Sequence, residues 1–131
     1  MTAPIITIDR LDHLVLTVAD VERSVAFYET VLGMTTQRDP GRPVSVHFGH
    51  QKINLHQIDR TIDPRARAPT AGSGDFCLIA TTSIEDVVGH LRSQGIAVEV
   101  GPIERTGATG PILSVYFRDP DENLIEVSRY L

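Results

Sequence analysis

The sequence predicts an α+β domain made of two β-α-β-β-β modules. Two stretches change from strand period to helical period in the same way. LDHLVLTV (residues 11–18) leads into a stripe of Val21, Val25, Tyr28, Val31 and Leu32. FCLIA (residues 76–80) leads into a stripe of Ile84, Val87, Val88 and Leu91. The two halves also match without gaps. Residues 21–28 superimpose on 84–91 at a shift of 63, and Val46 and Phe48 on Val115 and Phe117 at a shift of 69. A repeat of this length, with the same element order in each copy, indicates one supersecondary unit used twice.

In the first strand Leu14, Leu16 and Val18 share one face, and His13, Val15 and Thr17 the other. Asp20 stands where a helix N-cap belongs, and Gly33 where the helix stops. MTTQRD (34–39) reads as a short strand and PGRP (40–43) as a turn. VSVHFGHQKINLHQI (44–58) reads as a hairpin with residues 49–52 at its tip. Residues 59–74 carry Pro and Gly near their end and show no period, so they connect the modules, about 9–58 and 75–131. In the second module Ser83 caps and Gly95 stops the helix; 97–102 is a short strand and ERTGATGP (104–111) a loop. ILSVYF and ENLIEV close the chain as a hairpin over the DPD turn.

With 131 residues, 41% hydrophobic and 22% charged, the chain suits one folded domain with a substantial core. A net charge of −5 argues against nucleic-acid binding, which normally calls for a basic surface. No apolar run is long enough for a membrane span, and MTAPIITIDR lacks the pattern of an export signal. The expectation is a soluble cytoplasmic protein. The lone Cys77 excludes an internal disulfide and reads as a small core residue.

Glu126 is an acid inside an apolar run, a costly place for a carboxylate without a cationic partner. The one-residue difference between hairpin tips makes His56 its equivalent in the first module, and His13 faces away from the helix side. Two imidazoles and a carboxylate in one concavity form a chelating set. Taken singly, each has a plainer reading: half-exposed histidines, and a Glu126 paired with Arg118 or Arg129 on an open edge. His47 alternates with Val46 and Phe48 and lines the same side, while His50 is at a hairpin tip and His90 lies off the helical stripe. Arg105 and Thr106 supply donors in the glycine-containing loop for an anionic or carboxylated ligand. With His47 and Tyr116 they make up the candidate substrate-binding residues.

LDHLVLTVADVERSVAFYETVLGM and YFRDPDENLIEVSRYL resemble the opening and closing motifs of the vicinal oxygen chelate superfamily, which includes glyoxalases, bleomycin-resistance proteins and extradiol dioxygenases. The resemblance covers residues 9–131. It implies paired modules forming a cup-shaped mixed sheet around a divalent metal (Zn, Ni, Mn or Fe(II)), commonly in a homodimer whose cup draws on both subunits. Carried onto this chain, it makes His13, His56 and Glu126 metal ligands and Glu126 the catalytic base. The family's fifth-strand ligand falls on Phe76 without a gap, and on Asp75 if the strand carries a one-residue bulge. The implied function is metal-dependent proton transfer, of lyase or isomerase type, on a small substrate chelating through vicinal oxygens. Ring-cleaving dioxygenation and non-catalytic small-molecule binding are the alternatives.

Overall fold

The computed structural model describes residues 5–131; the start of the N-terminal stretch discussed above, residues 1–4, lies outside the described residues. The order is β1 (His13–Val18), α1 (Val21–Thr30), β2 (Thr35–Gln37), β3 (Val44–Phe48), β4 (Gln51–Gln57), β5 (Asp75–Ile79), α2 (Ile84–Ser93), β6 (Val100–Thr106), β7 (Pro111–Arg118) and β8 (Leu124–Tyr130). These form two four-stranded mixed sheets, β1-β4-β3-β2 and β5-β8-β7-β6. In each, the first and last strands of the module pair in parallel and the remaining pairs are antiparallel.

Both helices begin and end for the reasons read from the sequence. Asp20 accepts the Arg23 N–H and Ser83 the Asp86 N–H, each satisfying a donor of the open first turn. Gly33 and Gly95 take left-handed φ values of 67° and 71°. The chain then reverses so that the amides of Met34 and Ile96 reach back to the carbonyls of Tyr28 and Leu91.

One contiguous core lies between the sheets and the helices. Leu16, Val18, Ile53 and Leu55 enter it from the first sheet, and Val115, Phe117, Ile125 and Val127 from the second. Phe27 of α1 packs its ring against Phe117, with centroids 6.4 Å apart, so the modules share this core. The opposite sheet faces are left open: Val15 is 42% and Ile79 53% exposed.

A polar network also crosses between modules. Asp119, 4% exposed, accepts from the Tyr28 hydroxyl at 2.7 Å and the Asn123 side chain at 2.7 Å. Its other oxygen accepts the amides of Asp121 and Asn123, both at 2.9 Å. Burial, followed by the Asp119 charge, pushes the Tyr28 phenol far above its ordinary range, so it remains a donor. His90, an exposed residue, also bridges the modules by donating to the Thr30 carbonyl at the end of α1.

Three sequence expectations change. Residues 104–106 belong to β6, because the turn is confined to 107–110 and closed by the Gly107 N–H on the Gly110 carbonyl. Arg105 and Thr106 are therefore strand residues, paired with Ile112 and Pro111. The first hairpin tip is only Gly49 and His50, since Phe48 pairs with Gln51. Cys77 is on the open face, and Phe76 and Leu78 turn to the core instead.

Replacing Asp119 with Ala should cost about 3–5 kcal/mol, because four buried donors lose one acceptor group. Tyr28→Phe, which removes one donor, should cost about 1–2 kcal/mol. Urea midpoints of the two variants check both values; losses below about 0.5 kcal/mol would remove the network from the stabilising interactions.

Candidate functional site

The strand registers decide which residues are equivalent. Leu14 pairs with Ile53 and Leu16 with Leu55; in the second module Phe76 pairs with Ile125 and Leu78 with Val127. HLVL (13–16) therefore matches DFCL (75–78), and INLH (53–56) matches IEVS (125–128). Asp75 is the equivalent of His13, and Asn54 is the equivalent of Glu126. His56 corresponds to Ser128. The extra residue that makes Asp75 the match lies in the connection to α2: Val18 then matches Ala80, and residues 81–83 stand against only Ala19 and Asp20 in the first module. The hairpins likewise align Val44 and Val46, rather than Val46 and Phe48, with Val115 and Phe117.

Within one chain these registers move His56 off the position equivalent to Glu126, which Asn54 takes instead. His13 is opposite Lys52, and His56 is opposite Thr17 four residues further along the same face. At ~3.3 Å per residue this puts their Cα atoms about 13 Å apart along the strands. Glu126 is in the other sheet. Among the described residues, no group of three or more His, Cys, Asp or Glu side chains is arranged to hold a metal ion. Each sheet instead offers a diagonal pair on its open face, His13 with Asn54 and Asp75 with Glu126.

The Glu126 carboxylate is held by side chains the sequence reading did not single out. Ser114 donates to its Oε2 at 2.6 Å and Ser128 approaches the same oxygen at 3.3 Å. The two hydroxyls are 2.6 Å apart and both are fully buried. Cys77 completes the row, with Sγ 3.3 Å from the Ser128 oxygen. Desolvation raises its thiol pKa; the Ser128 hydrogen bond opposes this and the nearby Glu126 charge adds to it, so the thiol is held in its protonated form. Oε1 of Glu126 has no hydrogen-bond partner among the described residues. Arg118 pairs with Glu99 and leaves Glu126 alone. The period-2 spacing of Ser114 and Ser128 against core residues Val115 and Val127 is the signal that marks them.

Tyr116 pairs directly with Glu126 across β7 and β8. Arg105 donates to the Tyr116 hydroxyl at 3.2 Å and stacks over its ring, 5.6 Å from the centroid. These two candidates therefore lie beside Glu126, and Thr106 follows on β6. His47 is in the other sheet, in the same row as Lys52 and His13, with Nε2 2.9 Å from the Ser45 hydroxyl. His50 is exposed at the hairpin tip.

Comparison with known proteins gives a consistent result. The family model described as Glyoxalase/Bleomycin resistance protein/Dioxygenase superfamily matches residues 10–127. The chain is 52% identical over 124 residues to Virulence protein STM3117 of Salmonella typhimurium, covering 95% of this chain and 86% of that protein. The crystal structure of that protein superimposes with a TM-score of 0.94, covering 96% of this chain and all of the other. Glyoxalase domain-containing protein RDO1 of Mycosarcoma maydis is 49% identical over 126 residues, 95% of this chain and 70% of that one. An integron cassette protein from the mobile metagenome of V. cholerae, VCH_CASS1, is 49% identical with a TM-score of 0.94, covering 97% of this chain and 99% of its own.

Burial lowers the His56 imidazole pKa below its ordinary 6.5. Between that lowered value and 6.5 the unfolded chain binds more protons, so this contribution to stability is full above 6.5 and is lost as pH falls through the folded pKa. An NMR titration should put the His56 midpoint below 6.5, and His56→Gln should flatten the acid-side slope of stability. A midpoint at or above 6.5 would contradict the desolvated setting.

Proposed function

The chain belongs to the Glyoxalase/Bleomycin resistance protein/Dioxygenase superfamily, and we propose that within it this protein is a metal-dependent glyoxalase-type enzyme, working as a homodimer on a small substrate with vicinal oxygens. The observation that carries this reading is Glu126, a carboxylate with one oxygen anchored by buried serines and the other without a partner on an open sheet face. Anchoring one oxygen fixes the orientation of the carboxylate while the other stays accessible from the open face, as a ligand or a proton acceptor requires.

The donor types suit a divalent ion, an imidazole and two carboxylates, but one chain divides them between two sheets. His13, Asp75 and Glu126 would hold the ion where the first sheet of one copy meets the second sheet of another, with Asn54 at the fourth equivalent position. When bound, the ion supplies Lewis-acid polarisation of the substrate oxygens. Glu126 takes a proton from carbon next to a carbonyl and returns it to the neighbouring position. Ser114 and Ser128 keep the carboxylate oriented during that transfer, and Arg105 with Tyr116 binds the polar end of the substrate. In this reading KINLHQ, GPIERTGATGPI and YFRDPDENLIEVSRYL place the chain beside glyoxalase domain-containing protein 5 within the superfamily.

A second reading, non-catalytic binding of a small molecule in the same cup, is favoured by Asn54, whose amide is a weaker ligand than a carboxylate. Sedimentation, metal titration with Zn, Ni, Mn and Fe(II), and turnover of hemithioacetals separate the two. The enzyme reading expects a dimer that binds metal and a Glu126→Gln variant slower by about 100-fold or more. A wild-type protein indifferent to all four metals would establish the binding reading, and an undiminished Glu126→Gln variant would remove the base.

A further inference from the structure

We infer that the cavity between β1 and the 59–74 connection is a binding site for small organic anions, molecules with an apolar body ending in a carboxylate. Its volume of about 650 Å³ is in the range of small-molecule sites. Asp75, one of the residues proposed to hold the metal, lies at its edge, so the cavity adjoins that site, but anion binding here calls on neither a metal nor a second copy. Val15, Ile58, Ile62 and Pro64 give it apolar walls.

Its charge is distinctive. Arg60, Arg65 and Arg67 line the cavity and Asp75 is its one carboxylate, in a chain whose net charge is −5. Arg65 is paired with Asp63, which is not part of the lining. Arg60 and Arg67 form no ion pair among the described residues. Two uncompensated guanidinium groups beside apolar walls favour a carboxylate, which a guanidinium binds through two parallel hydrogen bonds. The Thr17 and Thr61 hydroxyls add neutral donors. Inorganic phosphate would satisfy the arginines but leave the apolar walls unfilled.

The test is an NMR titration of the full chain with a panel of aryl and alkyl carboxylates, their matched carboxamides, and inorganic phosphate. At least one carboxylate should bind about tenfold tighter than its amide, a difference of about 1.4 kcal/mol, and should weaken as salt is raised. Resonances of residues 56–74 should move. The Arg60→Ser/Arg67→Ser double variant, which alters two exposed side chains, should keep the wild-type melting curve and lose binding by about tenfold or more. Equal binding of amides and carboxylates, unchanged affinity in the double variant, or no carboxylate binding above that of phosphate would overturn the site.

Discussion

The Asp119 carboxylate is the interaction on which the arrangement of the chain most depends. A buried carboxylate is tolerated only when its oxygens are saturated with donors, and here four donors meet it. One comes from α1 of the first module and three from the closing turn of the second. The same turn continues outward: the Asn123 side-chain oxygen accepts the Gly74 N–H at 2.7 Å, immediately before Asp75. A Cβ on Gly74 would come within 2.8 Å of that oxygen and of Leu16, so a larger residue there would have to displace the Asn123 or Leu16 side chain. Core packing between modules and the position of Asp75 at the start of β5 are thereby parts of one connected structure.

The fold was legible because its signals are local. Asp20 and Ser83 cap, Gly33 and Gly95 reverse the chain, and the alternation of Leu14, Leu16 and Val18 needs no knowledge of distant residues. The site was legible only in part, because equivalence between modules depends on counting through connections. The extra residue between β5 and α2 does not disturb the helix match but reverses which strand residues face the core. Since strand side chains alternate, an offset of one moves Cys77 from core to open face and replaces Phe76 by Asp75 at the position of His13.

The pairing of His56 with Glu126 failed for a related reason. It was anchored on Val46 and Phe48, whose apolar pattern fits two registers equally well. The tetrads INLH and IEVS contain the better anchor, because Ile53 and Leu55 are as deeply buried as Ile125 and Val127. Buried hydrophobic positions are constrained by packing from several sides, whereas residues near a hairpin tip accept insertions. Arg105 and Thr106 were misplaced for the opposite reason: the glycines at 107 and 110 make so tight a turn that the strand runs up to it.

In both sheets the first strand of the module, β1 or β5, has a neighbour on only one side. Such an edge invites a further strand from another molecule. Each chain carries one edge of each kind, so joining a first-sheet edge to a second-sheet edge of a neighbour leaves one of each unsatisfied. If the second chain returns the contact, the assembly is finite and has two identical joints related by a two-fold axis. If it does not, each added molecule presents the same vacant edge, and the chain of copies closes into a ring only when the rotation per contact returns to the start; otherwise it grows without end. The angle between the two sheets within a chain, which sets that rotation, thus separates a two-fold pair, a ring and a filament.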